Sequence, residues 1–305
     1  MNIVGKRFWF FLLSGVLLLI GIVSLAVFGL KPGIEFSSGS LLTVSFNQTV
    51  NQDELGRELA GLGYADALIQ KTEMKDGGAV QQGYLIHLPE LSTEAKGNLQ
   101  AELTTRFGTM TVGEFDSVSP LVAAETTRNA VIAIAAAAAG ILLYLTWAFR
   151  KMPSPIHYGT CAVIALLHDI VLAMGIFSVL GAVLGWQINL MFVTGILAIL
   201  GYSVNNIVII FDRIRENLLQ GRSLDFETVV NNSVVETMGR SMNTNLTTIF
   251  PVIALLLIVG ASIQNLLVVL LAGVVVGTYD SICVAPALLV VWHKGEWGRF
   301  IGRRA

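Results

Sequence analysis

Residues 201–217 read GYSVNNIVIIFDRIREN. Two adjacent amides, Asn205 and Asn206, stand in an uncharged run that ends at Asp212, after which Arg213, Arg215 and Glu216 follow closely. A membrane span needs about 20 largely apolar residues. The run from 170 to 211 is more than long enough for one, and the charges after it mark where the chain leaves the bilayer. A span that carries two amides needs polar neighbours, so the reading extends to the rest of the chain.

Of the 305 residues, 54% are hydrophobic and 13% charged, a composition outside the range of ordinary soluble domains. Charge-free windows and the residues that interrupt them place six spans near 8–28, 131–149, 157–180, 189–211, 243–259 and 266–291. The first follows Lys6 and Arg7, but its apolar run is too long for the core of a cleaved signal peptide, so it reads as a retained anchor. Lys6, Arg7, Arg150, Lys151, Arg213, Arg215, Arg222, Arg240 and Lys294 fall on one side of this arrangement, whereas 181–188 and 260–265 carry no charge. By the bias of Lys and Arg towards the cytoplasm, both termini are expected inside the cell and 31–128 outside. The segments are thus 1–30, the first helix; 31–128, an extracytoplasmic α+β domain; 129–293, a five-helix bundle; and 294–305, a basic cytoplasmic tail. Between spans four and five, Phe226, Val229, Val230, Val234 and Met238 share one helical face, which predicts a cytoplasmic amphipathic helix near 223–239, lying on the membrane surface or against the bundle.

The outside segment holds thirteen acidic and seven basic residues, net −6. Alternation from Leu41 predicts a strand, and Asn51 with Glu54 predicts a capped helix stapled by Val50 against Leu55. A strand at 67–73, a turn at 76–78, a strand at 84–88, a helix at 92–107 and a strand at 109–116 complete βαββαβ, the ferredoxin-like order. The expected fold is therefore an α-helical polytopic membrane protein with a ferredoxin-like βαββαβ extracytoplasmic domain.

The polar residues within the spans are the candidate site. Span three carries His168 and Asp169, span four Asn205 and Asn206, span five opens at Arg240 and continues through Asn243 and Asn245, and span six carries Asp280. Asp169 lies about 20 Å along its helix from Ile156, near mid-bilayer. An ionised carboxylate facing lipid there costs roughly 2.5–3.5 kcal/mol, so these side chains are expected to turn towards one another. Ala198, Gly201 or Tyr202, and Asn205 or Asn206 form a small and polar stripe on span four, and Gly273 and Gly277 have close-packing spacing. The bland alternative is interhelical hydrogen bonding for the amides and snorkelling for Arg240. The chain has no phosphate-binding loop, its two cysteines, Cys161 and Cys283, lie in spans, and its four histidines are scattered. No enzyme activity, cofactor, metal or nucleic-acid partner is expected. Hydrolysis built on His168 and Asp169 lacks a nucleophile, since adjacent helical residues point about 100° apart.

Four stretches carry a resemblance. GIEFSSGSLL at 33–42, LLHD at 166–169, the opening stretch at 201–217 and GRSMNTNLTT at 239–248 resemble the SecF subunit of the bacterial SecD–SecF protein-export complex, within the resistance-nodulation-division superfamily. The resemblance implies pairing with SecD, association with the SecY translocon and YidC, and use of the proton-motive force to promote preprotein export. The alternative it leaves open is half of an exporter of lipid or small molecules. Three departures stand out. The family's proton-path Asp in span four is here Asn206, while its arginine is kept as Arg240. The glycine pair after the first span reads Ser38-Gly39. Span six reads Gly277-Thr-Tyr-Asp280-Ser, which gains a carboxylate. Asp280 is therefore expected to stand in for the acid missing at 206, and the path comprises His168, Asp169, Asn205, Asn206, Arg240 and Asp280.

Overall fold

The computed structural model describes residues 2–76, 79–221, 225–258 and 263–296. A short 3-10 turn, Val4–Lys6, leads into α1, Arg7–Phe28, which is predominantly apolar after Arg7 and exposed over most of its length, as a helix in lipid is. A four-residue helix, α2 (Ile34–Ser37), then opens the α+β domain. Its elements are β1 (Gly39–Phe46), α3 (Gln52–Gly61), β2 (Leu68–Asp76), β3 (Ala79–Leu88), α4 (Thr93–Phe107) and β4 (Met110–Val118).

All strand pairs are antiparallel in the order β2-β3-β1-β4, the split βαβ arrangement expected from the sequence. Local chemistry sets the helix starts. Asn51 Oδ1 accepts from Asp53 N at 2.9 Å, and Ser92 Oγ accepts from Ala95 N at 3.1 Å. Leu42, Val44, Leu55, Leu59, Ile86, Leu99 and Leu103 pack one sheet face against both helices, joined by Phe46 and Phe107. Each such side chain contributes about 1.5–3 kcal/mol on full burial, so the domain has a core of its own. Tyr84 closes it by donating to Val50 O at 2.5 Å. Of the turn expected at 76–78, residues 77 and 78 lie outside the described residues.

Five helices follow: α5 (Pro120–Ala148), α6 (Pro155–Leu184), α7 (Leu190–Leu219), α8 (Phe226–Ile258) and α9 (Gln264–Tyr279). A π-helical turn, Asp280–Val284, joins α9 to α10, Ala285–Lys294. With α1, and with α9 to α10 counted as one, six helices are long and apolar enough to cross a membrane.

Two expectations need correction. The amphipathic helix expected near 223–239 is not separate from span five, because α8 runs unbroken for 33 residues; Val230 and Val234 of its apolar face pack into the bundle core with Phe226 and Met238 against them. Helical geometry continues through Gly239 because an interior glycine costs only about 1 kcal/mol against alanine and no proline stops the helix there. The second span also begins earlier than expected, at Pro120 directly after β4, with Ser119 as its cap. Of the expected basic tail, residues 297–305 lie outside the described residues.

The bundle has two apolar cores. One, at the end bearing the N-terminal residues, gathers Ile3, Val4, Phe149, Tyr158, Phe211, Ile214 and Leu289; the other, towards the α+β domain, gathers Phe177, Phe192, Ile196, Ile199 and Val269. Helices approach closely where glycine allows it. A Cβ on Gly175 would lie 2.6 Å from Gly21 Cα, and one on Gly273 would collide with Ile199.

Candidate functional site

The polar residues occupy the level between the two apolar cores. Helix α6 is the most enclosed of the six, so both of its adjacent polar residues are buried although they point apart. His168 is 6% exposed and Asp169 1%. Asp169 turns to α7, where Ser203 Oγ donates to its Oδ2 at 2.6 Å. His168 Nδ1 lies 2.7 Å from Asp280 Oδ2, a close contact without the alignment of a hydrogen bond.

Asp280 is fully buried and opens the π-helical turn. Pro286, the second residue of α10, explains that turn: proline lacks an N–H and its ring crowds the carbonyl of residue 282, so the backbone widens and Ala285 N bonds to Asp280 O. Metal-capable atoms of His168, Asp169 and Asp280 all lie within 4.8 Å of one another. Two carboxylates thus share a buried space with no Lys or Arg paired to either among the described residues. Tyr279 closes the side next to α1, where its hydroxyl lies 3.1 Å from Ser14 Oγ and donates to Phe10 O at 2.7 Å.

One turn along α7 from Ser203, Asn206 is fully buried and donates to Asn245 Oδ1 of α8 at 3.0 Å; Tyr202 donates to the same oxygen at 2.6 Å. Asn206 Oδ1, Asn245 Nδ2 and Ser241 Oγ are buried without a hydrogen-bond partner among the described residues. Such groups ask for water or another chain.

The structure therefore divides the six expected residues. His168, Asp169 and Asp280 form one cluster, and Asn206 belongs to a second with Asn245. Asn205 and Arg240 are exposed and join neither, contrary to the expectation that they turn inward. Ala198 and Gly201 of the expected stripe are exposed on the same helix as Asn205. The physical reason is that helical period reveals which residues share a face but not which neighbour covers it. Among the described residues no helix covers that face of α7. Ser203 was not singled out from the sequence, although its spacing of three from Asn206 puts both on one face of α7.

Comparison with known proteins follows the same lines. Residues 98–295 match the family model described as protein export membrane protein SecD/SecF, C-terminal, and residues 23–50 match the SecD/SecF GG motif, which covers the turn at Ser38-Gly39. The protein translocase subunit SecF of Thermobaculum terrenum is 39% identical over 99% of this chain and 97% of its own length. The protein translocase subunit SecDF of Thermus thermophilus is 31% identical over 96% of this chain, which spans 40% of that longer protein. The crystal structure of a translocon-associated SecDF from Thermus superposes with a TM-score of 0.84 at 30% identity, covering 96% of this chain and 39% of that one. The chain belongs to the SecD/SecF family of protein-export membrane proteins.

Proposed function

We propose that this chain is the SecF-type half of a protein-export machine. It pairs with SecD, works beside the SecY translocon and YidC, and spends the proton-motive force on late translocation of preproteins. It resides in the cell membrane with its termini in the cytoplasm and the α+β domain on the far side. Its role is transport, not catalysis.

The observation that carries this reading is the uncovered polar face. Asn205 stands about 10 Å along α7 from Asp212, where the charges that end the span begin, and Asn243 opens the expected span five on the neighbouring α8; both are exposed. An amide at that depth faces protein or water, not lipid. The SecDF relatives supply the occupant, because in Thermus thermophilus and Bacillus subtilis this chain matches 40% and 38% of a protein that carries more. The partner's membrane helices cover Ala198, Gly201, Asn205, Asn243 and Arg240, and the proton path runs from this seam through Asn206 and Ser203 to Asp169, His168 and Asp280.

Co-purification from native membranes combined with cross-linking from Asn205→Cys tests it. Cross-links to SecD in a complex that includes translocon subunits are expected. A homodimer or a lipid-loaded complex lacking SecD would contradict the proposal and favour a small-molecule or lipid exporter.

A further inference from the structure

The cluster of His168, Asp169 and Asp280 combines two adjacent residues of α6 with a third far along the chain, which is why no metal spacing is visible in the sequence. Its side chains are more than nine-tenths buried. No aligned hydrogen bond reaches either His168 nitrogen, Asp169 Oδ1 or either Asp280 oxygen among the described residues, so one imidazole nitrogen and the carboxylate oxygens beside it are left without a donor. Ser203 holds Asp169 Oδ2 at 2.6 Å, as an outer partner orients a ligating carboxylate.

We infer that this trio is a binding site for a divalent first-row cation such as Zn²⁺, held by His168 and one oxygen each from Asp169 and Asp280. An imidazole with two carboxylates suits zinc or manganese better than calcium or magnesium, which prefer all-oxygen shells. Around an ion at about 2.0–2.2 Å the donors stand at most about 4.4 Å apart. The present spread, within 4.8 Å, needs only small side-chain rotations to reach that geometry. Charge supports the same occupant: one divalent ion neutralises two buried carboxylates, the condition a low-dielectric interior imposes. The inference deepens the proton-path reading, since an ion seated on these donors excludes protons from them and blocks the path.

The test uses the full chain in detergent, loaded with Zn²⁺, desalted and assayed for metal by mass spectrometry, with Co²⁺ as a visible spectroscopic probe. About one ion per chain is expected. Asp280→Ser and His168→Gln abolish retention, and Ser203→Ala weakens it about tenfold to a hundredfold. A wild-type chain that retains no ion overturns the inference, whatever the variants do; equal retention by wild type and both variants places the ion elsewhere and also overturns it. In vesicles, Zn²⁺ is expected to inhibit gradient-driven export. Export driven by the gradient in a chain that binds no metal leaves the proton path standing alone. Metal retained by a chain whose export ignores the gradient leaves only the metal site.

Discussion

Ser38 shows how much one residue position can hold. Its backbone is at φ 65°, ψ 167°, a region that side chains other than hydrogen rarely enter, and it lies where the family places the first glycine of its pair. Gly39 follows at φ 123°, where a Cβ would meet Leu88 O at 2.6 Å. The second glycine is therefore required and the first is replaced at a cost of about 1–3 kcal/mol. Ser38→Gly is expected to raise stability by about 1 kcal/mol after the extra chain entropy of glycine is subtracted. Chemical denaturation of the α+β domain measures it. The sequence exposed this departure, but only the backbone angles reveal that it is strained. At the same scale, burial of Asp169, Asp280 and Asn206 was legible from the cost of polar groups in lipid. Their partners were not, because contacts such as Ser203 with Asp169 join helices whose rotation the sequence leaves open.

Among the elements, the strands and helices of the α+β domain were legible to within a few residues because period, caps and turns agree there, except that β3 starts at Ala79, five residues before the expected 84. The continuity of α8, the four-residue α2 and the π-helical turn were not. Each depends on packing or on a neighbouring proline more than on local pattern. The sheet also carries a titratable group of consequence. His87, on β3, is pushed down to about 4 by burial, and its Nε2 has no partner among the described residues. The folded domain therefore keeps this imidazole neutral where the unfolded chain, with an ordinary value near 6.5, takes up a proton. The contribution is fully present above about pH 6.5 and is lost as pH falls towards about 4, with a slope of at most about 1.4 kcal/mol per unit. An isolated 36–120 fragment should unfold more easily across that window. His87→Gln should flatten the difference, and a wild-type fragment with no pH dependence relative to the variant would contradict the assignment.

At the scale of the whole molecule, α1 is anchored at both ends. Buried Arg7 pairs with Glu227 at 2.7 Å and Glu296 at 2.8 Å, Lys294 pairs with Glu227 at 2.5 Å, and Asn231 accepts from Ile3 N and Val4 N at 2.8 and 3.2 Å. These contacts bind the start of α1 to the starts of α8 and the end of α10. Beyond the other end of α1, Gly33 N donates to Ile188 O at 2.8 Å, and Gln70 of β2 donates to Gly185 O at 2.7 Å. The α+β domain thus sits directly on the connection between α6 and α7, the two helices that carry Asp169 and Ser203. A change of charge at the buried cluster can reach the domain through rigid elements already in contact with it. Each proton crossing 100 mV supplies about 2.3 kcal/mol for such work. Because an amide at 206 does not titrate in the physiological range, the proposed proton path makes the cluster containing Asp280 the proton carrier. Gradient-dependent export in membrane vesicles tests that assignment most directly, comparing wild type, Asp280→Asn, and Asp280→Ser combined with Asn206→Asp. The account predicts loss of the gradient-dependent component in the single variant and its recovery in the double variant; an active Asp280→Asn protein, or a double variant as inactive as the single, would contradict it.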